Sequence, residues 1–224
     1  MIGAMVETTE RREWEERQQV LIAELQHRTR NLMGVVRSMA DKTAQASSDF
    51  DEFRSRFGDR LEALARVQGL LSRLNEHDRV TFDELIETEL AAMGAAGERI
   101  RLEGPRGIRL RSSTVQTLAL ALHELATNAV KYGALGQADG RLAVTWHLVE
   151  DAASGRPWLH IEWREAGVEM PSPAVNPRGG GQGRELIERA LPYQLGARTS
   201  YVLGANGVHC TIVIPVFSRP PKGS

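Results

Sequence analysis

Glu124, Asn128 and Lys131 are the residues whose types and spacing first suggest chemistry. They sit in a helical pattern, because Leu118, Leu122, Leu125 and Ala129 recur at helical spacing. Glu124 and Asn128 are four apart, so both side chains leave one helix face. A carboxylate and an amide one turn apart offer hard oxygen ligands, which suit a magnesium ion that also holds substrate phosphates. Lys131 follows almost a turn later and can meet a phosphate as a point charge. Glu and Lys on a helix also make an ordinary solvated face, and an Asn just before Gly133 can be a capping residue.

Three other stretches could take part in the same chemistry. In Glu24-Leu25-Gln26-His27-Arg28-Thr29-Arg30-Asn31, His27 stands two residues past Leu25. At about 100° per residue this places its imidazole far around the helix from the apolar seam. Asn31, one turn on, can hold the second ring nitrogen, and Arg28 and Arg30 add positive charge for a phosphoryl group. An isolated His on a charged helix is more often merely solvated. Glu24, about one turn before His27, is a candidate general base by helix geometry alone. Trp163-Arg164-Glu165-Ala166-Gly167 ends a strand-like run, and Gly179-Gly180-Gly181-Gln182-Gly183 precedes a helical pattern. Glycine turns into helix starts bind phosphate through free N–H groups, although a glycine run alone is also a flexible loop.

Together these segments resemble the HWE-type sensor histidine kinases, a branch of the ATPase superfamily shared by DNA gyrase, the heat-shock ninety chaperones and the mismatch-repair ATPase. The likeness rests on His123-Glu124 with the Lys131-Tyr132-Gly133-Ala134-Leu135 tail, on Trp163-Arg164-Glu165, and on the His27-to-Asn31 string, in that family's order from about Val20 to Val216. The resemblance implies that His27 is the phosphoacceptor, with Asn31 and Glu124 in the catalytic group. It implies nucleotide binding by Asn128, Lys131, Tyr132, Glu165, Gly167, Gly181 and Gly183, with magnesium at Asn128 and Glu124. Glu165 would accept from the adenine amino group, and Gly167 to Gly181 would form a short ATP lid stiffened by Pro171, Pro173 and Pro177. The sequence departs from the family pattern at Arg30, at Val168 and Glu169, and at Gln182. His123 has two readings, as a group orienting Glu124 or touching phosphate, and as a half-buried structural residue. Trp163 reads as packing.

The elements that must position these residues follow from the hydrophobic pattern. Residues 7 to 47 read as one long helix, with Leu25, Leu32, Met39 and Ala46 at heptad spacing. Ser47-Ser48-Asp49 breaks it, and Phe57, Leu61, Leu64, Gln68, Leu71 and Leu74 continue a second heptad helix. Such a hairpin buries its seam by pairing with a second copy in a four-helix bundle, unless the following domain folds back to cover it. Beyond come a helix from Phe82 to Gly94, short strands at Ile100–Glu103 and Ile108–Leu110, the Glu124 helix, strands at Leu142–Val149 and Leu159–Glu165, a helix from Arg184 to Leu195, and a hairpin of Thr199–Leu203 with Val208–Pro215. The expected fold class is α+β: a helical hairpin, then an α/β sandwich of Bergerat type with a mixed, mostly antiparallel sheet. The expected domains are a signalling-helix linker over 1–17, a dimerisation and phosphotransfer hairpin over 18–77, an ATP-binding domain over 78–217 and a disordered tail over 218–224.

The 224 residues carry a formal net charge of -1, which argues against a strongly basic nucleic-acid binder. No apolar run approaches the roughly 20 residues of a membrane span, and no secretory leader is visible. Cys210 is the only cysteine, so no intrachain disulfide forms and a cytoplasmic setting fits; Cys210 itself reads as a buried strand residue. The resemblance implies a homodimer, an aspartate-bearing response-regulator receiver domain as partner, and a PAS-like sensor domain upstream of Val6–Arg12. Two rivals are an ATP-driven conformational switch without phosphohistidine, and a degenerate module that docks a receiver domain without kinase activity. The signal, the cognate regulator, phosphatase activity and phosphorylation in cis or in trans are not encoded in any residue pattern.

Overall fold

The structure is a computed structural model that describes residues 18, 22, 26, 29, 30, 32–72, 79–94, 97–150, 155–169 and 181–216. His27, Asn31, Glu24, residues 170–180 of the expected ATP lid and the tail lie outside them. The chain forms two compact units, Met1–Phe57 and Gly58–Ser224.

In the first unit, residues 32–45 are helical (α1). Met39 and Thr43 are its buried positions, and the Thr43 hydroxyl donates to the Met39 carbonyl at 2.7 Å. Helix α2, Phe50–Ser72, begins at the expected break. The Glu52 amide donates to Asp49 Oδ1 at 2.8 Å, and the Ser48 amide donates to Glu52 Oε2 at 2.6 Å. This reciprocal cap satisfies two donors that a helix start leaves free.

The boundary between the units falls within α2, and the later part of that helix belongs to the second. There the buried residues are Arg60, Ala63, Leu64 and Val67, the i, i+3, i+4, i+7 spacing of a core-facing stripe. The stripe is rotated from the heptad seam expected above: Leu64 is shared, but Leu61 is exposed. Val67 joins a core with Val80, Phe82, Leu85 and Ile86, so the domain that follows covers this face of α2.

Helix α3, Phe82–Ala92, opens on a capping box between Thr81 and Glu84. Strand β1 is Ile100–Glu103 and helix α4 is Ser112–Lys131. A 3₁₀ turn, Ala134–Gly136, leads to β2, Arg141–Glu150, and β3, Pro157–Ala166. Helix α5, Gly181–Glu185, runs through a π turn at Leu186–Ala190 into α6, Leu191–Leu195. Pro192 accounts for the π turn: its ring would strike the carbonyl four residues earlier and it has no N–H to donate there. Strands β4, Arg198–Gly204, and β5, Gly207–Pro215, close the fold.

The sheet order is β1-β2-β3-β5-β4. β1 runs parallel to β2 and the other pairs are antiparallel. The mixed, mostly antiparallel sheet is therefore as expected, with α4 in the crossover that a parallel pair requires. Register places Val144, Trp163 and Cys210 in one row and Trp146, Ile161 and Ile212 in the next. These side chains alternate onto one sheet face and meet Leu118, Leu122 and Leu125 of α4 in the core. Residues 108–110 do not form the strand expected from their pattern. They pair only with residues 80–82, through Phe82 N–H to Ile108 O and Leu110 N–H to Val80 O, both 2.9 Å.

Among the described residues, no helix is long and apolar enough to cross a membrane. Cys210 is fully buried, and burial pushes its thiol up to about 12, which fits an inert strand residue.

Candidate functional site

Two polar corners flank the C-terminal half of α4. The first forms around Glu124 and Asn128, both half-buried. A Cβ placed on Gly183 would lie 3.1 Å from both Glu124 Oε2 and Asn128 Nδ2. The α4 face and the end of the glycine-rich segment, far apart in sequence, thus come close together. Asn128 does not cap its helix with its side chain; its backbone carbonyl accepts from the Tyr132 N–H at 2.8 Å. Lys131 and Tyr132 are exposed, and Lys131 pairs with Asp59 of α2 at 3.6 Å.

The second corner is built on Glu165, only 5% exposed. Trp163 and Glu165 are two apart on β3 and so share a face. The Trp163 indole N–H donates to Glu165 Oε1 at 3.0 Å, and the Ala134 amide donates to Glu165 Oε2 at 2.8 Å. Trp163 is therefore both packing, as expected, and the donor that orients its neighbouring carboxylate. Burial pushes the Glu165 carboxyl above its ordinary 4.5, and the two donors oppose that rise.

Glycines wall this corner. A Cβ on Gly133 would strike Glu165 Oε2, one on Gly140 the Ala134 carbonyl, and one on Gly207 the Glu165 carbonyl. Gly167, at φ +72, could not carry a Cβ either, since it would strike the Asp139 carbonyl. Asn206, in the β4–β5 turn, holds the Gly167 amide through Oδ1 at 3.0 Å and the Val168 amide through its carbonyl at 3.2 Å.

His123 engages groups other than Glu124. It is 3% exposed, and Arg66 Nη2 of α2 lies 3.3 Å from its Nδ1 and 3.1 Å from Oε2 of the fully buried Glu89 of α3. With Arg66 as donor, Nδ1 is the acceptor and the ring carries its proton on Nε2. The structural reading of His123 fits this network, which ties three helices together.

The donor sets can be tested against the groups that the resemblance implies. No cluster of three or more His, Cys, Asp or Glu able to hold a metal occurs among the described residues. Magnesium typically takes one or two carboxylates and completes its shell with phosphates and water, and Glu124 beside Asn128 fits that mode. A carboxylate has about four acceptor positions; two donors reach Glu165, so it can still accept from an adenine amino group.

Sequence reasoning missed Asp59, Arg60, Arg66 and Glu89. Arg60 Nε donates to Glu124 Oε1 at 2.5 Å, with side chains 10% and 15% exposed. A signal was available for two of the four. Arg60 occupies the first position of the α2 stripe, and Glu89 the last of the α3 series Phe82, Leu85, Ile86, Glu89. A charge at an apolar stripe position needs a buried partner.

Replacing Glu165 with Gln is expected to destabilise the fold by roughly 1–3 kcal/mol, because one amide oxygen cannot serve both donors and the NH₂ would face one of them. A carboxyl whose folded pKa is raised contributes stability that is present below about 4.5 and lost as pH rises through the raised value. The wild-type advantage over Glu165→Gln should therefore be largest in acid. Denaturant titrations at several pH values check both statements.

Residues 24–106 match the family model described as HWE histidine kinase. The chain is 32% identical over 218 residues to blue-light-activated histidine kinases of Brucella ovis and Brucella anthropi. That alignment covers 96% of this chain and 43% of each relative, so the chain spans less than half the length of the curated relatives it matches. Among solved structures it is similar to a blue-light activated histidine kinase of Erythrobacter litoralis, at TM-score 0.52 and 20% identity, covering 87% of this chain and 62% of that one. That likeness is one of fold.

Proposed function

We propose that the chain, whose residues 24–106 match the HWE histidine kinase model, is the phosphoacceptor and catalytic part of a sensor histidine kinase of that family. The observation that carries the reading is the meeting of Glu124 Oε2 and Asn128 Nδ2 at Gly183. The substrate is ATP. A ring nitrogen of His27 attacks the γ-phosphorus, the bond to the leaving ADP oxygen breaks, and the ring proton passes to water as the P–N bond forms. The phosphoryl group then passes to an aspartate of a response-regulator receiver domain. Phosphoryl transfer depends mostly on positioning and charge neutralisation.

Each role falls to a named group. Asn128, with Glu124, holds magnesium, whose chemistry when bound is to neutralise phosphate charge. Glu165 reads the adenine amino group, Gly167 and Tyr132 border the base, and Lys131, Gly181 and Gly183 face the phosphates. Asn31 fixes the tautomer of His27. Residues 18–77 act as the dimerisation and phosphoacceptor segment and 78–217 as the nucleotide-binding part, in the cytoplasm, under a sensor domain upstream.

Incubation of the wild type with γ-labelled ATP and magnesium tests the proposal. Label that is stable to base, labile to acid and lost on chelation is expected. Hydrolysis without label would instead make the protein a conformational ATPase. Absence of ATP binding would leave the docking module.

A further inference from the structure

We infer that Arg60 is a positioning residue for Glu124, and that helix α2 thereby sets the geometry of the magnesium and phosphate corner; this rests on the function proposed above. The side chains of the Arg60–Glu124 pair are mostly buried. Taking both charges out of water is costly, and such a pair persists only where its geometry is good. The pair also divides the carboxylate. Oε1 is held by Arg60 Nε, while Oε2, like Asn128 Nδ2, lies 3.1 Å from where a Cβ on Gly183 would stand. Without the guanidinium, the Glu side chain regains rotamer freedom and Oε2 loses its place. Groups that orient metal-binding carboxylates act in this way without touching the reacting atoms.

α2 is itself fixed at that point. Six residues on, Arg66 reaches His123 and the buried Glu89; Ala63 and Leu64 are buried between the two arginines, and Val67 joins the core just beyond. Consecutive residues of α4, His123 and Glu124, are thus each held by an arginine of one helix. The neighbouring Asp59–Lys131 pair is about half exposed and adds little in solvent.

The test compares wild type, Arg60→Ala, Arg60→Gln and Arg60→Lys, with Glu124→Gln alone and combined with Arg60→Ala. For each, the phosphorylation rate at saturating Mg-ATP, the KM for ATP and the thermal midpoint are read. Arg60→Ala should lower the saturating rate by roughly 10–100-fold with KM shifted by less than about threefold. Arg60→Lys should recover part of the rate. Because Arg60 acts through Glu124, removing it in the Glu124→Gln background should cost little more. An unchanged or raised rate in folded Arg60→Ala, or a loss that multiplies fully with that of Glu124→Gln, would overturn the inference. If Arg60→Ala does not fold, the Gln and Lys variants decide by the same criteria. A wild type that takes no label overturns the proposed function and the inference with it; an active wild type matched by Arg60→Ala overturns the inference alone.

Discussion

His27→Ala is expected to abolish the acid-labile label completely while ATP still binds with near wild-type affinity. The imidazole is the only nucleophile that the resemblance places on the phosphoacceptor helix, and a methyl group leaves nothing to form a P–N bond. The groups proposed to bind the nucleotide lie in the second unit, on or next to α4, β3 and the start of α5, so removing one side chain near residue 27 should leave ATP affinity intact. Separating the two readouts decides the matter. Filter binding or calorimetry reports the affinity, and gel autoradiography after acid and base treatment reports the bond. Label retained in the mutant would show that another residue is phosphorylated.

Asn128→Ala is expected to lose autophosphorylation by more than about 100-fold, since even groups that only support a metal ligand cost 10–100-fold when removed. Magnesium-dependent nucleotide affinity should fall in parallel, while affinity measured in chelator should change little. Stability is a separate readout. The amide is only half-buried and does not cap α4, and Ala is the better helix former, so the melting temperature should hold. A variant that phosphorylates at the wild-type rate would refute a metal role for this face of α4.

What the sequence disclosed, and what it withheld, follows from the range of the interactions involved. The alternation of Leu142, Val144 and Trp146, and of Leu159, Ile161 and Trp163, announced strands because one sheet face is covered by helices and the other is not. The i, i+4 spacing of Glu124 and Asn128 was readable because a helix fixes its own faces. Residues 108–110 misled, because an apolar alternating run looks the same whether it enters a sheet or pairs with a helix entry. Heptad counting marked Leu61 and Leu64, whereas the stripe of α2 that packs within this chain is Arg60, Ala63, Leu64 and Val67, a neighbouring face of the helical wheel. The partners of Arg60 and Arg66 are residues of other helices, and no local spacing encodes such pairs. His27 and Asn31 rest on the resemblance and on helix geometry alone.

The glycine wall around Glu165 also bears on how this protein can change through inheritance. Gly133, Gly140, Gly167 and Gly207 each lack room for even one methyl group, and every amino acid one base change away from a glycine codon carries at least a Cβ. A lineage that gave up the proposed ATP chemistry would still be selected to keep these four glycines, because a Cβ at any of them forces neighbouring atoms to shift, at a typical cost of about 1–3 kcal/mol. Their retention in a descendant would record that the corner still folds. Retention of Asn128, which is only half-buried and does not cap α4, would record that the proposed phosphoryl transfer is still under selection.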